Sequence, residues 1–237
     1  MKRHEPKPSE IYDKMVSMVF EHATIGDVIR HGVVFNPRNW GRFDVNENEL
    51  VESIRELFDL LRERQISYVL VGGIAMLQYV EGRNTQDIDL IIAVPSLKKL
   101  PEVRIESRDE NFGRGYFNDL QIDFLFTTNP VFKEVSTTHT TTLRFGDQQI
   151  ETATTAGLIL LKLYALPSLY RQGNFAKVGI YENDVATLMQ AYEVNRSTIV
   201  TALSHHLDTP DMREIETILQ EIEERIERFR QKSNHEK

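Results

Sequence analysis

Cysteine is absent from this chain of 237 residues. That excludes disulfides and thiolate metal sites, and it fits a reducing compartment. Long hydrophobic runs are absent as well. The two most apolar stretches, residues 68–80 and 157–166, are too short to cross a bilayer, and Lys162 interrupts the second. The first ten residues are charged and carry prolines without an apolar centre, so no secretory signal is expected there and the expected location is cytoplasmic, with no membrane partner. Positive charge is in deficit, with 28 Lys and Arg against 36 Asp and Glu, a formal net charge of −8. A chain of that sign does not grip nucleic acid over a broad surface. Arg62, Arg64, Lys98, Lys99, Arg104, Arg108 and Arg114 could build a local basic patch for one RNA end, although most of them read as solvated surface. The seven histidines show no ligand spacing, which argues against a zinc site.

What is present is the composition of an ordinary globular protein, 41% hydrophobic and 27% charged. Residues 1–48 read as an extension that packs on the main body, with one short helix over residues 11–20 and irregular structure around the single tryptophan, Trp40. Leu50, Ile54, Leu57, Phe58 and Leu61 then recur at helical spacing. Residues 68–71 read as a buried strand that enters a turn at Gly72-Gly73, followed by a helix over residues 74–80. Ile88, Leu90 and Ile92 alternate with Asp87, Asp89 and Ile91, and Ile122, Phe124 and Phe126 alternate with Asp123 and Leu125, so both stretches read as strands. Residues 141–145 and 149–152 suggest a hairpin across Gly146-Asp147, and the threonines of residues 137–142 suggest an edge strand. Beyond Thr155 the pattern is helical, over residues 158–166, 184–192, 197–206 and 211–231. In the last of these Ile215, Ile218, Leu219, Ile222, Ile226 and Phe229 form one stripe, which is a packing face or a homodimer contact. The expected fold class is α+β. A small mixed sheet with flanking helices occupies residues 49–151 and a C-terminal helical domain occupies residues 152–237.

Chemistry concentrates at two acids. Asp87 and Asp89 are two apart on a strand, so their side chains leave the same face while Ile88, Leu90 and Ile92 leave the other. Adjacent carboxylates repel, and a divalent cation removes that penalty. Oxygen-only ligands suit Mg²⁺ or Mn²⁺. Asp123, on a second alternating strand, is the candidate third ligand, and such a trio can hold two ions for an in-line displacement at a phosphate. Gly72-Gly73 permits close backbone approach to a phosphate at the start of a helix. Lys162 is a charge inside an apolar run and must snorkel or meet a negative partner.

The order Gly-Gly turn, helix, Asp-x-Asp strand resembles the signature of the DNA polymerase β-type nucleotidyltransferases. The stretch Arg83-Asn84-Thr85-Gln86-Asp87-Ile88-Asp89 is similar to the form found in the AbiEii-like toxin subgroup, the minimal nucleotidyltransferases. The resemblance spans about residues 67–189, roughly half the chain. It implies a polymerase β-like sheet, an active site between that sheet and the helical domain, and transfer of a nucleoside monophosphate from an NTP to a hydroxyl. It maps catalytic and metal roles to Asp87, Asp89 and Asp123. It maps nucleotide binding to Gly72, Gly73, Arg83 and Thr85, with Lys162 on the triphosphate and Asp184 in support. Many members of the superfamily carry serine at the second turn position, where Gly73 offers only its backbone N–H. The subgroup further implies a toxin–antitoxin or defence setting, an antitoxin partner, and a tRNA end or a protein as acceptor.

Plainer roles exist for each residue. The acids could lie on a half-exposed strand, Asp184 could cap a helix after Asn183, Arg83 could pair with a surface carboxylate, and Thr85 could shape a turn. Two other functions fit the same residues, a nucleotidyltransferase acting on a small molecule and a non-catalytic member of the fold that binds nucleotide or protein. The presence of all three acids argues against the last.

Overall fold

The computed structural model describes residues 47–80, 87–145 and 148–235. The expected N-terminal helix, Arg83, Thr85 and the Gly146-Asp147 turn lie outside the described residues. Helix α1 (Glu47–Glu63) buries Ile54, Leu57, Phe58 and Leu61, the stripe expected from their spacing, and packs on β5 (Leu120–Phe126).

The sheet has seven strands. Besides β5 these are β1 (Tyr68–Val71), β2 (Asp87–Ile92), β3 (Arg104–Arg108), β4 (Phe112–Phe117), β6 (Thr140–Phe145) and β7 (Gln148–Ala153), in the order β3-β4-β5-β2-β1-β7-β6. The β2–β5 and β1–β7 pairs are parallel and the other four are antiparallel, so the sheet is mixed. The core strands β2 and β5 follow the expected alternation. Ile88, Leu90, Ile122, Phe124 and Phe126 are buried, while Asp87, Asp89 and Asp123 are half-buried on the opposite face. The expected hairpin is β6–β7, with Phe145 opposite Gln148, and β6 is the edge strand. Thr137 and Thr138, however, end a helix and do not belong to β6.

Two strands were not legible. β3 is exposed at every position, so it has no apolar face to betray it; its charges suit an edge that must not recruit another chain. β4 reads Phe-Gly-Arg-Gly-Tyr-Phe, which resembles a glycine loop. Its glycine at 113 is there for packing: a Cβ would stand 2.8 Å from the Phe126 ring.

The remaining helices are α2 (Gly72–Leu77), α3 (Pro130–Thr138), α4 (Thr155–Arg171), α5 (Phe175–Ala191), α6 (Arg196–Ser204) and α7 (Thr209–His235). Side-chain oxygens start four of them: Asn129 for α3, Thr154 for α4, Asn174 for α5 and Asn195 for α6. The helix expected to begin near Asp184 therefore begins nine residues earlier, at Phe175. In α7 the stripe from Ile215 to Ile226 is buried within the chain's own core, and only Phe229, 61% exposed, projects beyond it. One hydrophobic cluster joins the sheet to α1 and to the C-terminal helices. Polar ties reinforce that junction. Tyr79 donates to the Ala153 carbonyl at 2.9 Å, and Tyr192 donates to the Tyr79 carbonyl at 3.0 Å.

Candidate active site

The register of two strands places the acids. Asp89 on β2 stands directly beside Asp123 on β5, and Asp87 stands beside Gln121. Direct neighbours across a ladder share a face. Asp87, Asp89 and Asp123 each offer a carboxylate oxygen within 4.8 Å of the others, and among the described residues no other cluster of His, Asp or Glu meets that spacing. The acids that the sequence singles out are thus brought together.

The glycine turn closes on Asp89. Helix α2 starts at Gly72 itself, directly after β1, so the expected loop is compressed to a single residue with φ +67°. A Cβ there would fall 1.7 Å from the Asp89 Oδ2. Only glycine satisfies both constraints. The Gly73 backbone N–H donates to the Asp89 carboxylate. At this turn the Gly73 N–H thus supports an acid of the protein, beside the phosphate contact that the resemblance implies for Gly72 and Gly73.

Burial pushes the Asp89 carboxyl up to about 7, and the charges of Asp87 and Asp123 add to the rise. Lys162 and the Gly73 N–H act in the opposite direction without cancelling it.

Arg114, on β4, reads in the sequence only as one member of a basic surface patch; the structure places it in the site. It faces Asp123 across the β4–β5 ladder and grips it with both arms of the guanidinium, Nε to Oδ1 at 2.7 Å and a terminal nitrogen to Oδ2 at 2.9 Å. Gln121 adds a longer contact to Oδ1 at 3.3 Å. The signal was the alternation Phe112, Arg114, Tyr116, but it points at Asp123 only once β4 is known to pair with β5.

The acids Asp89 and Asp123 border a cleft of about 510 Å³ between the sheet and helices α3, α4 and α5. Lys162 lines it from α4. Its Nζ is 2.7 Å from the Asp184 Oδ2, with both side chains buried, and lies 4.5 Å from the centre of the Tyr181 ring. Asp184 therefore does not cap a helix; it sits inside α5 and answers the buried lysine. Lys177 lines the same end of the cleft, 5.6 Å from the Tyr181 ring. A further wall is aromatic. Phe132 meets Phe112 edge-on at 5.2 Å and Tyr164 at 6.1 Å, and Phe112 is 49% exposed. Arg83 and Thr85, expected beside the acids, lie outside the described residues.

No family model matches the chain, and no curated protein matches it. Several solved structures are similar at low identity. An antigenic nucleotidyltransferase-like protein from Paracoccidioides brasiliensis is 17% identical, with a TM-score of 0.47 over 71% of this chain and 92% of that one. The antibiotic-resistance factor ANT(2'')-Ia is 12% identical, with a TM-score of 0.46 over 78% of this chain and 98% of that one. The Megavirus polyadenylate synthase is 14% identical, with a TM-score of 0.44 over 82% of this chain and 39% of that one.

Proposed function

We propose that this protein is a metal-dependent nucleotidyltransferase, which moves a nucleoside monophosphate from an NTP to a hydroxyl. The observation that carries this reading is the trio Asp87, Asp89 and Asp123, whose oxygens converge within 4.8 Å at the edge of a cleft. The donor set fits a hard divalent cation. It is all carboxylate oxygen, and its charges repel one another; the Asp89 carboxyl is raised first by burial and further by the charges of Asp87 and Asp123. Asp87, Asp89 and Asp123 would hold Mg²⁺ or Mn²⁺. When bound, the metal supplies stabilisation of the charge that develops on the attacking and leaving oxygens.

The chain's own groups have separable tasks. Lys162 and Lys177 offer positive charge to the polyphosphate, and the Asp184 carboxylate fixes the position of Lys162. The wall of Phe112, Phe132 and Tyr164 offers a face for the planar base. Gly72 and Gly73 hold Asp89 at its angle. In the transfer the acceptor oxygen forms a bond to the α-phosphorus, the bond from that phosphorus to the bridging oxygen breaks, and pyrophosphate leaves. Asp123 accepts the proton of the acceptor hydroxyl. Arg83 and Thr85 keep the nucleotide-binding role that the resemblance implies for them.

The acceptor, a tRNA end or a protein, and the toxin–antitoxin setting rest on the resemblance of residues 83–89 to the AbiEii-like form, as does the division near residue 151. Calorimetry with Mg²⁺ and each NTP in turn tests the core of the reading, since a protein that binds no nucleotide in a metal-dependent way is not this enzyme. Incubation with labelled NTPs and total tRNA tests the acceptor. Label that persists in the Asp89→Ala variant would place the chemistry elsewhere.

A further inference from the structure

We infer that Arg114 is a positioning residue that competes with the divalent cation for Asp123, and so sets both the aim of that carboxylate and the affinity of the site for metal. The inference rests on the proposal that Asp87, Asp89 and Asp123 hold the cation.

Three features support it. The guanidinium occupies both oxygens of Asp123, at 2.7 and 2.9 Å, in the two-pronged geometry that only arginine provides. An oxygen of Asp123 that turns to a metal must give up part of that grip. The ladder registers place Arg114 opposite Asp123 and Asp123 opposite Asp89, so the arginine stands in the same row as the acids and on the same face. Its charge is therefore felt by any cation that enters. Finally, the Arg114 side chain is 46% exposed, so core packing does not hold it in place. Three carboxylates with no arginine carry one more negative charge than three with it, so loss of Arg114 strengthens the pull on a divalent ion.

The experiment is Mn²⁺ titration by calorimetry on the full chain, comparing wild type with Arg114→Gln, Arg114→Lys, Asp123→Asn and the Arg114→Gln/Asp123→Asn pair. Arg114→Gln is expected to bind Mn²⁺ on the order of tenfold more tightly. Arg114→Lys, which keeps the charge but loses the two-pronged grip, is expected to fall between wild type and Arg114→Gln. In the pair the arginine effect is expected to shrink, because the carboxylate it grips is gone and only its charge remains. Thermal melts confirm that each variant is folded, which the exposure of Arg114 favours. Wild type that binds no Mn²⁺ removes the metal-site proposal and this inference with it. Wild type that binds, with Arg114→Gln unchanged or weaker, overturns the inference and leaves the metal site standing.

Discussion

Gly72 and Asp89 constrain each other. The left-handed backbone at Gly72 would cost any other residue about 1–2 kcal/mol, and the 1.7 Å approach to the Asp89 carboxylate adds a collision that displaces that side chain. Gly72→Ala is therefore expected to lower the melting temperature and to weaken Mn²⁺ binding together, measured by thermal melt and calorimetry on the same sample. A variant as stable as wild type with unchanged affinity would show that the turn does not hold the acid. The raised carboxyl of Asp89 gives a second expectation. A carboxyl whose native value exceeds its unfolded value favours the neutral native form. The associated stability is full at low pH and is lost as pH rises through the native value. For Asp89 that loss falls between about pH 4 and pH 7. Asp89→Asn stays neutral throughout, so its melting temperature relative to wild type, without metal, should climb across that window. A difference that is flat in pH would contradict the shift. The three acids were legible in sequence because period-two alternation announces which face each leaves. Arg114 was not, because its meaning depends on a neighbour strand that alternation cannot identify.

At the scale of elements, α4 and α5 are joined by one buried ion pair. Lys162 and Asp184 are each under a tenth exposed, and removing one partner strands the other's charge in the interior. Lys162→Ala is expected to cost about 3 kcal/mol in chemical denaturation. The Lys162→Met/Asp184→Leu pair, apolar on both sides, should recover much of that stability but not NTP affinity. Recovery of both would assign Lys162 to packing alone. The sequence made half of this visible, since a lysine in an apolar run needs a negative partner. It did not say that the partner is Asp184, because 22 residues of chain separate them and the pairing follows from how α5 lies on α4. Helix starts such as Asn129, Asn174 and Asn195 passed unread for a related reason. Asparagine serves loops and caps alike, and only the backbone that follows decides which.

Across the whole molecule, the sheet and the C-terminal helices share one hydrophobic cluster. The stripe of α7 is used inside that cluster, which leaves Phe229 as its exposed remainder. Urea unfolding followed by near-ultraviolet and far-ultraviolet dichroism should therefore give coincident transitions. Two separated transitions would mean that the helical part is stable without the sheet. Among the described residues no helix is long and apolar enough to cross a membrane.

By itself the sequence determined the α+β class, the strands that carry Asp87, Asp89 and Asp123, and the buried stripes of α1 and α7, because each of these follows from the period at which one short segment alternates or turns. Only the tertiary structure decided that Gly72 is held against Asp89, that Arg114 grips Asp123, that Lys162 meets Asp184, and that an aromatic wall lines the cleft. Those contacts join residues from different elements, and their distances are set by strand order and helix packing, which no local pattern encodes.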